Sequence, residues 1–167
     1  TLVHPATGEV GDVLHALLER ADAVVIGPGL GRGEGKAAFV LACIAAAKRA
    51  VLDADALVAL QGRVADVAAL GADRALVLTP HAGEFRTLFP SLASERDTDP
   101  WGAAAHAAEQ CGSTVLLKGV PTTIARAGRS LLTVAAGNPG LATGGSGDVL
   151  SGILGSLLAR DSEPDIA

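Results

Sequence analysis

The residues able to do chemistry lie in short glycine-rich stretches. The densest runs from Gly137 to Ala159, GNPGLATGGSGDVLSGILGSLLA. Glycines crowd its first half. From Gly147 onward apolar residues recur at helical spacing: Val149, Leu150, Ile153, Leu154, Leu157 and Leu158. A glycine loop that runs into a buried helix presents free backbone N–H groups and a partial positive charge, which suit a phosphate or a developing anion. Glycine also lets the backbone approach such a ligand closely. Asp148 falls in the first turn of this helix. A carboxylate there can serve as an N-terminal charge or cap. Beside a phosphate it is otherwise repulsive, and so also suits a general base for a substrate hydroxyl. The residues alone leave both roles open.

The other polar groups sit where strands end. Lys118 follows the apolar run Thr114 to Leu117 and precedes Gly119; it is placed to meet phosphate as a point charge, or to be a solvated lysine. His81 follows ALVLT and Pro80, a position unlike a core histidine. Glu84, three residues on, is read as holding the loop through backbone N–H groups, with a water-mediated magnesium contact as its other role. Gly27-Pro28-Gly29-Leu30-Gly31 follows the run ADAVVI, as in open α/β sheets that bind ligands at the carboxyl ends of their strands. An ordinary strand–helix turn would look the same, and the spacing is not that of a dinucleotide-binding loop. In VLDADAL, Asp53 closes a strand. Asp55 is placed to cap the next helix, or both acids to lie near substrate or a hydrated cation. His15 and His106 read as structural, and Cys43 and Cys111 as buried free thiols.

These groups need a frame. Residues 1–8 read as a loop. Helices are expected over 9–20, 34–49, 56–61, 82–89 and 101–111, and from Gly147 to the end of the apolar run. Strands are expected over 21–26, 50–53, 75–79 and 114–117, with a hairpin of 122–127 and 130–135 around Gly128. Residues 91–100 read as a surface loop. The alternation predicts an α/β fold: a mainly parallel sheet with helices on both faces and an antiparallel edge.

Composition removes several classes. At 167 residues the chain fits one domain with a real core. A net charge of −5 and 2% aromatic residues give neither the electrostatic nor the stacking signature of nucleic-acid binding. No apolar run is long enough to span a membrane and no signal-peptide pattern opens the chain, so a cytoplasmic protein is expected.

GNPGLATGGSGDVLSG resembles the C-terminal signature of the ADP/ATP-dependent NAD(P)H-hydrate dehydratases, in the ribokinase-like superfamily. GPGLG, VLDADAL, the P-H-x-G-E of residues 80–84 and the K-G-x-x-T of residues 118–122 agree with that family in order and spacing. Ala82 stands where many relatives have proline. The resemblance implies a ribokinase-like three-layer α/β/α fold and an ADP-dependent dehydratase that repairs hydrated NADH and NADPH, with Asp148 as catalytic base. It implies that Gly29, Gly31, His81 and Asp148 contact the hydrate. Nucleotide would meet Lys118, Gly119, Val120, Pro121, Thr122, Gly144, Gly145, Ser146 and Gly147. ADP or ATP with Mg²⁺ is implied, with no side chain assigned to the metal. A homo-oligomer, tetramer or larger, and a fused or separate hydrate epimerase are implied as partners. The match covers the middle and C-terminal signature, so residues 1–167 are expected to be a single domain incomplete at the N-terminus and slightly at the C-terminus. A small-molecule kinase of the same superfamily, acting on a vitamin precursor or sugar, is the alternative activity. A catalytically silent nucleotide-binding fragment is the alternative without turnover.

Overall fold

The computed structural model describes residues 11–160 and residue 164. The loop expected over 1–8 and the first residues of the helix expected from Glu9 lie outside them. In chain order the elements are α1 (Asp12–Arg20), β1 (Val24–Ile26), α2 (Lys36–Ala46), β2 (Arg49–Leu52), α3 (Asp55–Ala59), α4 (Val64–Gly71), β3 (Ala75–Leu78) and α5 (Ala82–Leu88). Then follow a 3₁₀ turn (Pro90–Leu92), α6 (Ala93–Thr98), α7 (Pro100–Cys111), β4 (Thr114–Leu117), β5 (Thr122–Ala125), β6 (Leu132–Val134), a second 3₁₀ turn (Pro139–Leu141) and α8 (Ser146–Ala159).

The six strands form one sheet in the order β1-β2-β3-β4-β5-β6. The first four run parallel, and β5 and β6 are antiparallel to their neighbours. Strand order follows chain order because each right-handed crossover between parallel strands steps the same way across the sheet. For the same reason the connecting helices gather on one face. Ala50, Leu52, Leu76, Leu78, Val115 and Leu117 point to that face and join Phe39, Val40, Ile44, Leu57, Phe85, Leu88 and the alanines of α7 in the main core. Val51, Val77 and Leu116 point the other way, under Leu154 and Leu158 of α8. β2 to β4 are covered on both faces, which is why these strands read as nearly unbroken apolar runs.

The expected helices over 34–49 and 56–61 are shorter, as Lys36–Ala46 and Asp55–Ala59. Two helices were not anticipated. Val64, Val67, Ala68 and Gly71 give α4 a helical period over one buried stripe. The expected surface loop at 91–100 is mostly α6, a polar helix with no buried residue. Ion pairs support it: Arg86 and Arg96 both reach Asp97, and His106 Nδ1 lies 2.8 Å from Glu95. α7 follows with the expected punctuation. Asp99 accepts a hydrogen bond from the Gly102 N–H, Pro100 opens the helix, and Gly112 ends it in the left-handed region. Cys43 and Cys111 are free and buried, and burial pushes both thiols up to about 11.

Candidate active site

The carboxyl ends of the parallel strands line up. Ile26, Leu52 and Leu78 pair in register. The ladder runs one residue further: the Asp53 N–H donates to the Ile26 carbonyl and the Thr79 N–H to the Leu52 carbonyl. Lys118 then enters the row through its N–H to the Pro80 carbonyl, at 2.8 Å. The ends of β1 to β4 thus bring Gly27, Asp53, Thr79 and Lys118 to one rim, the place where open α/β sheets bind ligands.

Asp53 is the centre of this rim, with 1% of its surface exposed. Its Oδ1 accepts from the Lys118 ammonium at 2.7 Å and from the Ala54 N–H at 2.8 Å. Its Oδ2 accepts from the Ser151 hydroxyl at 2.7 Å. Burial pushes the Asp53 carboxyl up, but the Lys118 ammonium, the Ser151 hydroxyl and the Ala54 N–H outweigh it, and the group is held below the usual carboxylate range. Asp53 is therefore ionised, with both oxygens already engaged. Ala54 adopts φ 48°, ψ −123°, the one positive φ among the described non-glycine residues. Such a conformation costs about 1–3 kcal/mol and persists only where its surroundings enforce it.

The loop after β1 is tied to the same place. A Cβ on Gly27 would lie 1.7 Å from the Asp53 carbonyl oxygen, so only glycine lets the ends of β1 and β2 close. The Gly31 N–H donates to Asp55 Oδ2 at 2.9 Å. Asp55 is not the cap expected of it: α3 begins at Asp55 itself, and the helix has no side-chain cap. Gly29 and Gly31 have positive φ, and a Cβ on either would meet nothing within 4 Å, so both face open space.

His81 and Glu84 form a capping box at the start of α5. His81 Nδ1 accepts from the N–H groups of Gly83 and Glu84, at 2.9 and 3.2 Å, and the Glu84 carboxylate accepts from the His81 N–H at 2.8 Å. The structural role expected of Glu84 is what the geometry shows. Since Nδ1 accepts, the ring hydrogen is on Nε2, which lies 3.3 Å from Glu84 Oε1. Glu84 Oε2 is also 3.8 Å from the Lys118 ammonium. His81, Glu84, Lys118, Asp53 and Ser151 are thus one connected chain of polar groups.

Gly119, Val120 and Pro121 form the loop from β4 to β5, and Thr122 opens β5. The loop is pinned by the Thr122 hydroxyl, which donates to the Gly119 carbonyl at 2.9 Å. A cavity of about 240 Å³ lies between this loop and the junction of α6 and α7, where Arg96, Asp97 and Pro100 line it. A Cβ on Gly137 would touch Val120 Cγ2 at 3.1 Å, so the glycine-rich stretch starts against the same loop.

α8 starts at Ser146, with Gly145 at φ +89° before it and no side-chain cap. The Ser146 N–H is used by the Thr143 carbonyl at 3.3 Å, and the Val149 N–H by the Gly145 carbonyl at 3.1 Å. The N–H groups of Gly144, Gly145, Gly147 and Asp148 have no acceptor among the described residues. Of the donors expected from Gly144 to Gly147, Ser146 is therefore the one already engaged. A Cβ on Gly144 or Gly145 would meet nothing within 4 Å, whereas one on Gly147 would lie 3.5 Å from Asp53 Oδ2 and 3.9 Å from Lys118 Nζ. The helix start thus stands beside the lysine with free donors facing open space, the arrangement of an anion site. Asp148 is exposed and is not the cap; its carboxylate makes no ion pair or side-chain hydrogen bond among the described residues.

Sequence reasoning singled out Gly27, Asp53 and Lys118 but not Thr79 or Ser151, which lie among apolar residues of a strand and a helix, and it did not show that Asp53 pairs with Ser151. No group of three or more His, Cys, Asp or Glu side chains able to hold a metal occurs among the described residues. No helix among them is long and apolar enough to cross a membrane.

The chain is 42% identical over 170 residues to the bifunctional NAD(P)H-hydrate repair enzyme Nnr of Gloeobacter violaceus, covering 99% of this chain and 32% of that protein. A ribokinase-like superfamily protein of Enterococcus faecalis superposes with a TM-score of 0.74 at 31% identity, over 89% of this chain and 51% of that one. An ADP/ATP-dependent NAD(P)H-hydrate dehydratase from Bacillus subtilis, co-crystallised with ATP/Mg²⁺, gives a TM-score of 0.68 at 28% identity, over 90% and 54%. The chain therefore spans about a third of that curated relative and about half of these solved chains. The family model described as NAD(P)H-hydrate dehydratase matches residues 1–167, and the chain belongs to that family.

Proposed function

We propose that the rim is the active site of an ADP-dependent (S)-NAD(P)H-hydrate dehydratase, a hydro-lyase that restores hydrated NADH and NADPH. The observation that carries the reading is the pairing of free N–H groups at the start of α8 with Lys118, next to the unengaged Asp148 carboxylate. Donors that no protein acceptor uses, set beside a cation, suit a transferring phosphoryl group. Asp53 and Glu84 are both committed to neighbours in the structure, which leaves Asp148 as the carboxylate free to take a proton.

In this reading Asp148 accepts the proton of the ring C6 hydroxyl as its oxygen attacks the terminal phosphoryl group of ADP, releasing AMP. The ring nitrogen lone pair then expels phosphate from C6, and loss of a proton from the neighbouring carbon restores the dihydropyridine. The protein contributes position and charge rather than covalent chemistry. The Asp53–Lys118–Glu84 group sets two carboxyl groups against one amine, so polyphosphate would enter most favourably with a further cation. Mg²⁺ fits as an ion carried on the phosphates with most of its water, which needs no protein cage. Glu84, beside Lys118, would be the acid to meet that water in addition to its capping bond, and the ion would neutralise charge on the phosphates. His81 and the open face of Gly29 and Gly31 would form the hydrate side, and residues 118–122 the nucleotide side. The partner epimerase and the choice between ADP and ATP belong to this proposal as well, as does the view of residues 1–167 as part of a longer ribokinase-like domain.

The test is to supply the chain with NADH hydrate and ADP and follow recovery of dihydronicotinamide absorbance. Asp148→Asn should lower the rate by about 10²–10⁴-fold, the usual worth of a general base, while ADP affinity stays nearly unchanged. A variant that keeps more than about a tenth of the rate, short of that range, would overturn the assignment of Asp148. ADP binding without recovery of absorbance would instead indicate a silent nucleotide module. A stable phosphorylated product from another alcohol would indicate a kinase.

A further inference from the structure

Asp53 has no proton to move in the reaction above and no ligand to hold, yet it is the most deeply buried charged side chain among the described residues. A buried carboxylate is costly unless it is paired and hydrogen-bonded, and an apolar side chain would fill the position more cheaply. Its donors come from three places in the chain. Lys118 lies at the end of β4, Ala54 in the strained turn after β2, and Ser151 on α8. Ser151 is wholly buried and one turn beyond Gly147, and a Cβ on Gly147 would touch both Asp53 Oδ2 and Lys118 Nζ. The carboxylate therefore spans the gap between the lysine and the helix whose start carries the free N–H groups.

We propose that Asp53 is a positioning residue, which locks the Lys118 ammonium to the first turns of α8 so that lysine and backbone N–H groups meet one phosphate together. The proposal rests on the phosphate-binding reading of the rim. Lysine is a point charge on a flexible four-carbon stem. Tied to Asp53 at 2.7 Å, the stem is ordered before any ligand arrives. One ammonium hydrogen serves Asp53, and with 22% of the side chain exposed the group still reaches solvent. Ser151 completes the lock by fixing the other carboxylate oxygen to α8.

A simple counter-charge would behave differently. Removing a carboxylate that merely offsets Lys118 should tighten phosphate binding, because the local charge becomes more positive. Removing a positioning carboxylate should weaken it, because the ammonium is no longer held against the helix. The two effects have opposite signs.

The experiment measures ADP and adenosine affinity by calorimetry for Asp53→Asn, Ser151→Ala and Lys118→Met, and for the first two combined with Lys118→Met. Asp53→Asn should weaken ADP at least tenfold and leave adenosine within about twofold, the split expected of charge-assisted phosphate contacts. In the Lys118→Met background the same substitution should change ADP affinity less than about twofold, as coupled residues do in such cycles. Tighter ADP binding, or an equal loss with and without Lys118, overturns the proposal. If Asp53→Asn does not fold, Ser151→Ala decides the matter, since it keeps the buried ion pair. Its loss of ADP affinity should vanish in the Lys118→Met background, and an unchanged affinity in the Ser151→Ala single variant overturns the proposal. Melting of the unliganded proteins separates this idea from the nucleotide reading. Lys118→Met and Ser151→Ala share Asp53, so their shifts in melting temperature should be non-additive. Additive shifts overturn the coupling whether or not ADP binds, and a wild-type chain that binds no ADP overturns the nucleotide reading alone.

Discussion

Alternate residues of the central strands face opposite sides of the sheet, and the two sides are covered very differently. On one side α1 to α5 and α7 build the main core, including Phe85, Phe89, Leu57, Leu60 and Leu88, each nearly or wholly buried. The rings of Phe85 and Phe89 sit 5.2 Å apart, within the range of favourable aromatic pairs. On the other side α8 alone among the described helices covers Val51, Val77 and Leu116, through Leu154 and Leu158. Burial of apolar surface dominates folding energy, so the first side carries most of the stability. The second carries the helix that bears Asp148, Ser151 and the free N–H groups. The face with the smaller apolar cluster thus carries the proposed site, and α8 is held there by the Ser151–Asp53 bond as well as by apolar contact.

The largest expected effect tests that division directly. Phe85→Ala should cost about 3–5 kcal/mol, the range for an aromatic ring removed from a packed core. Leu154→Ala should fall near the low end of the range for leucine, about 2 kcal/mol, since fewer buried residues surround it. Denaturant unfolding of both variants measures the difference. Equal losses would mean that the two faces are equally important to stability, and the comparison would fail.

A smaller effect probes how α8 meets the sheet. A Cβ on Gly155 would lie 2.8 Å from Val25 Cγ2, on a β-branched side chain that is stiff at χ1, so valine or helix must shift. Gly155→Ala should therefore destabilise by about 1–3 kcal/mol, as overpacking does, despite the better helix propensity of alanine. Gly152 is the control on the same helix. A Cβ there meets nothing within 4 Å, so Gly152→Ala should gain up to about 1 kcal/mol. Thermal melts of the pair decide it, and equal shifts would show that α8 is not held closely against β1.

These contrasts also mark what the amino-acid order revealed. The parallel strands were legible because burial on both faces leaves unbroken apolar runs ended by glycine, proline or a charged residue. The glycine loop and its helix were legible because loop and periodicity meet within a few residues at Gly147. The pairing of Asp53 was not, because its partners Lys118 and Ser151 are 65 and 98 residues away. His81 was noticed, but its capping role was not, since histidine is outside the usual capping set. α6 escaped because its sequence, ASERDT, has no apolar stripe; its support comes from Arg86 and His106 on neighbouring helices. Local pattern shows where the chain bends and buries. Which polar groups meet is decided by topology.

The smallest effect on stability should come with a large effect on turnover, at Gly147. A Cβ there would make ordinary contacts, 3.5 Å to Asp53 Oδ2 and 3.9 Å to Lys118 Nζ. The fold has room for it, and Gly147 lies inside α8, where alanine is favoured over glycine by up to about 1 kcal/mol. Gly147→Ala should therefore melt at or slightly above the wild-type temperature. The new methyl nonetheless sits between the helix backbone and the lysine, where a phosphoryl oxygen would have to approach both. Displacing one preorganised donor from a developing anion costs about 2.7–4 kcal/mol in comparable sites, or about 10²–10³-fold in rate. Turnover of NADH hydrate with ADP should fall by that factor while the melt is unchanged. Gly155→Ala should show the reverse, a lowered melt with smaller change in rate at temperatures where the protein stays folded. A Gly147→Ala variant with wild-type turnover would remove the start of α8 from the phosphoryl site. One with a strongly lowered melt would show that the gap beside Asp53 and Lys118 is tighter than these distances allow.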